Sequence, residues 1–189
     1  ELLTNYGDIL EIWFDGAWDK DHPNRDWAFD PAWEKDPNSG LKHGERYEWD
    51  KLYNLAHKLQ SNCLVTNNAS SDRPGGVKYF PLDFRTAEQF DFVYKGEIKH
   101  PLINPVFKDK NGKEVFLPLE FCSTLTPDWF WKDKEWVMQP GVETIVSWYN
   151  KAKSAKANLL LNVGPDKTGA IPEYNKIYLL EAAKKLNLK

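Results

Sequence analysis

Four short apolar runs punctuate this chain, and each ends on polar residues. The runs "DILEIWFDG", "NCLVTNN", "VFLPLEFCST" and "NLLLNVGPD" predict strands near 10–14, 62–66, 116–122 and 158–163. Elsewhere the hydrophobic period lengthens from two to about 3.6. In "RYEWDKLYNLAHKLQ", Trp49, Leu52, Tyr53, Ala56 and Leu59 recur on one helical face. "PGVETIVSWYNKAKSAKA" sets Pro140 near a first helical position and carries a stripe of Val142, Ile145, Tyr149 and Ala152. "IPEYNKIYLLEAAKKLNLK" predicts a last amphipathic helix, and the opening "ELLTNYG" reads as a closing helical turn stopped by Gly7. Long connections fill the stretch to about residue 46 and that from about 67 to 114, the latter containing the turn signals "DRPGG" and "DKNGK".

Strands alternating with helices predict an α/β chain with crossover connections and parallel strands. "NLLLNVGPD" is apolar on both faces, as a strand of a covered parallel sheet should be. Parallel strands bring their C-terminal ends to one rim, so Asp15, Asn67 with Asn68, Ser123 with Thr124, and Asn162 are expected together there. Such folds keep their chemistry at that rim. Asp15 therefore reads as a catalytic carboxylate or as a turn residue bonding nearby backbone N–H groups.

The 189 residues can bury one good core and predict one domain. A net charge of -3 without a basic cluster argues against a nucleic-acid surface. No run approaches the roughly 18 apolar residues of a membrane span. Cys63 and Cys122 sit inside apolar runs and read as small buried hydrophobes. The histidines are scattered, without metal-ligand spacing, and no metal or cofactor is expected. The unusual feature is 9 Trp, 8 Tyr and 10 Phe, several of them in Asp-rich stretches such as "WDKDHPNRDWAFDPAWEKD". Rings among carboxylates suit a sugar, which has an apolar face and a polar rim. They equally suit small satellite cores under long loops.

The segments "LLTNYGDILEIWFDG", "DFRTAEQF", "LEFCSTLTPDWFW" and "NLLLNVGPDKTGAI" appear in the order found in α-L-fucosidases of glycoside hydrolase family 29, which the chain resembles along essentially its whole length. That resemblance implies a retaining exo-hydrolase of terminal α-L-fucose on a (β/α)8-like TIM-type barrel. Residues 1–189 then form about the C-terminal half of the barrel, four parallel strands with their helices, with no second domain. In that case the chain begins in mid-barrel, needs the N-terminal half or another partner such as a second copy, and is inactive alone.

By resemblance, Asp15 in "WFDG" matches the nucleophile and Glu88 in "DFRTAEQ" the acid/base. Glu120 in "PLEFCST" competes for the second role. Glu88 falls on the long connection after the second strand, Glu120 within the third. Trp13, Arg73, Glu120 and Trp129 match substrate-binding positions, although the family's Asn-Asp-Arg motif is stretched here into "NNASSDRPGG". The implied partner is a fucosylated glycan, with neither nucleic acid nor membrane, and the implied location is periplasmic or extracellular. A non-catalytic carbohydrate-binding remnant of the same fold is the alternative, and would not need the carboxylate pair. "NAS" at Asn68 is a glycosylation sequon in the proposed active-site loop, expected to be unmodified.

Overall fold

A computed structural model describes residues 1–15, 48–68, 77, 80–88, 105–108, 112–126, 129–132 and 141–188. The chain divides into two compact units, residues 1–88 with 99–120, and residues 89–98 with 121–189. In the first, helix α1 (Leu2–Asn5) leads to strand β1 (Glu11–Phe14), and helix α2 (Trp49–Leu59) to strand β2 (Leu64–Asn67). Gly7, at φ +79°, makes the left-handed turn that ends the first helix. The amide of Gln60, just past α2, then fixes the entry to β1. It accepts from the Ile9 N–H at 2.7 Å and donates to the carbonyls of Leu3 and Gly7 at 3.1 and 2.8 Å.

β1 and β2 pair in parallel, with Ile12 opposite Val65, Trp13 opposite Thr66 and Phe14 opposite Asn67. Because side chains alternate along a strand, Phe14 and Val65 turn toward α2. They pack there with Trp49, Leu52, Tyr53 and Ala56, four of the five residues expected on the helix's apolar face. Leu59 is exposed, because the helix ends there and Gln60 turns inward in its place.

Asp83 ties these elements to the next strand, β3 (Arg85–Glu88). Its carboxylate accepts from the Val65 N–H at 2.7 Å, the Tyr53 hydroxyl at 2.6 Å and His57 Nε2 at 2.9 Å. Its own N–H donates to Val65 O at 2.9 Å. Burial and this anionic acceptor push the Tyr53 hydroxyl well above the ordinary tyrosine range. Thr66 Oγ1 donates to Phe84 O at 2.6 Å, so β3 runs beside β2.

β3 is a strand in a stretch that the sequence pattern reads as loop. "RTAE" shows no apolar alternation, yet Arg85, Thr86 and Ala87 are all buried. Hydrogen bonds replace the missing apolar signal: Arg85 N–H donates to Pro118 O at 2.9 Å, and its Nε to Leu117 O at 3.0 Å. The expected third strand is divided at Leu117–Pro118, since proline has no N–H for a ladder. β4 (Val106–Lys108) and β5 (Glu114–Phe116) form an antiparallel hairpin, and β6 (Leu119–Thr124) is a separate strand.

In the second unit, helix α3 (Val142–Ser154), strand β7 (Asn158–Asn162) and helix α4 (Glu173–Lys185) follow β6. Leu125 N–H donates to Asn162 O at 3.1 Å, so β6 and β7 end together. Their core joins Leu125, Ile145, Trp148 and Ala182, with Leu159, Leu161 and Tyr178 around them. The apolar stripe of α3 is turned from its expected position, burying Trp148 and leaving Tyr149 half-buried. Trp148 has more apolar surface to bury, and it stands at i+3 from Ile145 and i−4 from Ala152. Cys63 and Cys122 are buried and unbridged. The described strands and helices thus make an α/β fold with parallel strands. No helix among the described residues is long and apolar enough to cross a membrane.

On the face of β1 away from α2, the Glu11 carboxyl faces that of Glu120 on β6. Burial pushes the Glu11 carboxyl up, and the bond from Glu120 opposes it. A pKa raised on folding adds stability that is full below the ordinary glutamate value and lost as pH rises through the folded value. Glu11→Gln keeps a donor for Glu120 and removes the titration. The variant should melt above the parent at pH 7, with the difference closing below about pH 4. Thermal melts across that range check this. Asp83→Ala leaves the Val65 N–H and two side-chain donors without their anion. It should cost about 2 to 4 kcal/mol in urea unfolding, more than Tyr53→Phe alone.

Candidate active site

Three consecutive strands of the first unit bring their C-terminal ends together. Asp15 is the first residue past β1, Asn68 the first past β2, and Glu88 the last of β3. Asn68 N–H donates to Phe14 O at 2.7 Å, which continues the β1–β2 ladder and sets Asn68 next to Asp15. The side chain of Asn68 is fully buried at 0% exposure and lies between two carboxylates. Its Nδ2 donates to Asp15 Oδ1 at 3.1 Å and, through a short contact, to Glu88 Oε2. Its Oδ1 accepts from Thr86 Oγ1 at 3.1 Å. Every arm of the amide is used, and Nδ2 has no room for a glycan.

Burial pushes the Glu88 carboxyl above its ordinary value, the bond from Asn68 pulls it down, and the negative charge of Asp15 raises it again. Asp15 itself is exposed at the mouth of the site. Trp13 lies two residues back on the same face of β1 as Asp15. Its indole Nε1 is buried and has no hydrogen-bond partner among the described residues.

The other expected site residues have separate settings. Glu120, 2% exposed, lies within β6 and engages Glu11. Trp129, in the second unit, is half-buried, and its carbonyl accepts from Asn162 Nδ2 at 2.9 Å. Gly164 of "NVGPD" lies beneath this segment, where a Cβ would come within 2.8 Å of Trp131 N. Arg73 lies outside the described residues. No group of three or more His, Cys, Asp or Glu among the described residues could hold a metal ion.

Sequence reasoning placed Glu88 on a loop, whereas it closes a strand. Sequence reasoning set Asn68 on the rim that carries the chemistry without giving it a role, and it did not single out Thr86 or Glu11. The one available signal for Asn68 was the polar ending of "LVTNN", shared with every other strand.

Three kinds of comparison bear on this arrangement. The family model of the α-L-fucosidases matches residues 1–189. The chain is 27% identical over 178 residues to "Alpha-L-fucosidase 1" of Arabidopsis thaliana, covering 92% of this chain and 30% of that protein. It is 27% identical over 175 residues to a putative α-L-fucosidase 1 of Oryza sativa subsp. japonica, covering 90% and 29% respectively. Among solved structures it resembles α-L-fucosidase isoenzyme 1 from Paenibacillus thiaminolyticus, with TM-score 0.62, 24% identity and coverage of 98% of this chain and 36% of that one. It also resembles an α-L-fucosidase from Lactobacillus casei solved with its α-L-fucose product, with TM-score 0.55, 19% identity and coverage of 96% and 40%. The chain therefore spans less than a third of the length of these curated relatives. With a family match along its whole length and a shared fold, this chain belongs to the α-L-fucosidase family.

Proposed function

We propose that the chain supplies the catalytic carboxylates of a retaining exo-α-L-fucosidase that removes terminal α-L-fucose from glycans. Asp15 is the nucleophile and Glu88 the acid/base. One observation carries this reading: a single amide nitrogen, Asn68 Nδ2, donates to both carboxylates. Two acceptors that share one amide nitrogen, each at hydrogen-bond distance of about 3 Å or less, lie within about 6 Å of each other. Retaining glycosidases use carboxyl groups about 5 to 5.5 Å apart, whereas inverting enzymes need roughly 6.5 to 9.5 Å to admit a water.

The chemistry follows from the two environments. Asp15 attacks the anomeric carbon while Glu88 gives its proton to the departing glycosidic oxygen, leaving a fucosyl ester on Asp15. Glu88, now ionised, takes a proton from water as the water attacks that ester. Fucose leaves, and both carboxyl groups return to their starting states. The elevated pKa of Glu88 suits the first step, and loss of the Asp15 charge in the ester lowers it for the second. Glu120 is the weaker candidate for the acid, because its carboxyl engages Glu11 within β6. Trp13, Arg73, Trp129 and Glu120 are assigned to holding the sugar.

We infer further that these strands are the C-terminal half of a (β/α)8-like barrel. Both units support this by exposing large apolar residues, such as Leu10 at 77% and Leu180 at 62%. Exposed apolar surface of this kind marks contact with further protein.

In the complete enzyme, Asp15→Gly should abolish turnover, and added azide should restore it with β-fucosyl azide as product. Formation of the α-azide would remove Asp15 from the role. Glu88→Ala should slow substrates with poor leaving groups by about 10²- to 10⁴-fold, with far smaller loss on activated aryl fucosides. Its azide product should retain the α configuration. Glu120→Ala should lower rates on both substrate types alike. In Asp15→Asn the Glu88 carboxyl should titrate at lower pH than in the parent, because the charge that raises it is gone. Carbon-detected NMR titration of labelled glutamate reads that shift directly.

A further inference from the structure

At the strand ends one neutral amide bridges two carboxyl groups, Asp15 and Glu88, and that amide is itself held by a hydroxyl. The amide could in principle turn over and present its oxygen. Oxygen would then face two carboxylates that have no proton to offer when ionised, and the Thr86 hydroxyl would lose its acceptor. With Thr86 Oγ1 donating to Oδ1, the nitrogen is kept toward the pair. Thr86 is 1% exposed and sits two residues before Glu88, so its hydroxyl and the Glu88 carboxyl point to the same side of β3.

We propose that Asn68, oriented by Thr86, is the positioning residue that lets Glu88 change from acid to base within one catalytic cycle. This rests on the assignment of Asp15 and Glu88 above. Before reaction the amide binds both carboxyl groups and holds their spacing. Once Asp15 is esterified, its oxygen is a weaker acceptor, and the same nitrogen is left chiefly to Glu88. A hydrogen bond to an ionised carboxylate stabilises it, so Asn68 favours the form of Glu88 that must take a proton from water. No bond to Asn68 forms or breaks covalently, and its own protons stay in place. Among the described residues, the negative charge of Asp15 beyond β1 acts on Glu88. Arg85 of its own strand lies on the opposite face, with Nε donating to Leu117 O.

Asn68 and Glu88 should therefore leave different kinetic signatures. Without the amide, the first step keeps its acid while the second is left with a base that ionises less readily. Asn68→Leu preserves approximate volume and removes both N–H groups. Thr86→Val preserves shape and removes the hydroxyl that orients the amide. On an activated aryl α-L-fucoside, Asn68→Leu in the complete enzyme should lower steady-state kcat about tenfold and produce a burst of aryl alcohol as the glycosyl-enzyme accumulates. The basic limb of its kcat/KM profile should move up by about one pH unit. Thr86→Val should shift both readouts the same way by less, and it decides the matter if Asn68→Leu does not fold. A lower kcat without a burst and with an unmoved pH profile, in a variant that merely melts earlier, would overturn the proposal. Asp15→Gly and Glu88→Ala in parallel separate the two questions. If they keep parental activity, the assignment of the pair fails. If they lose it while the Asn68 and Thr86 variants show neither signature, only the positioning role fails.

Discussion

The register between β1 and β2 is the constraint on which the site depends. Phe14 lies opposite Asn67, and the next backbone bond runs from Asn68 N–H to Phe14 O. A slip of one residue would carry Asp15 away from Asn68, and would set Phe14 and Val65 out of step beneath α2. The apolar contacts of Phe14, Trp49 and Val65 therefore secure the same register that the polar site uses. Stability and chemistry are coupled through a strand pair only four residues long.

Two polar hubs sit at opposite ends of β2 and differ in their balance. At the entry, one carboxylate, Asp83, receives three donors. Such an arrangement satisfies an anion and contributes to the fold. At the exit, one amide nitrogen serves two carboxylates, and Glu88 is held above its ordinary pKa. The exit hub lies at the strand ends, and a perturbed carboxyl in such a place marks a candidate functional site.

In the second unit a family segment has a backbone explanation. "NVGPD" places Gly164 where no side chain fits beside the Trp131 amide, and Asn162 two residues earlier bonds the Trp129 carbonyl. Both contacts hold the aromatic segment that follows β6 through its main chain, which leaves the indole of Trp129 free of that duty.

Much of this protein could be read from the order of its residues. Apolar period located α2, α3, α4 and the strands β1, β2, β6 and β7, because burial against a neighbouring layer imprints a repeat of two or about 3.6. The segments "WFDG" and "DFRTAEQ" singled out Asp15 and Glu88 as candidates, and the four ordered segments pointed to the family. The tertiary structure alone decided what those residues touch. "RTAE" is a strand because distant carbonyls and hydroxyls satisfy it, and such pairing of polar groups leaves no period in the sequence. The turn of α3 that buries Trp148 depends on the shape of the core between α3, β7 and α4. Asn68 ends its strand like the other polar residues that end theirs. Only the meeting of β1, β2 and β3 sets its amide between two carboxylates, because that contact joins residues 53 and 20 positions apart in the chain.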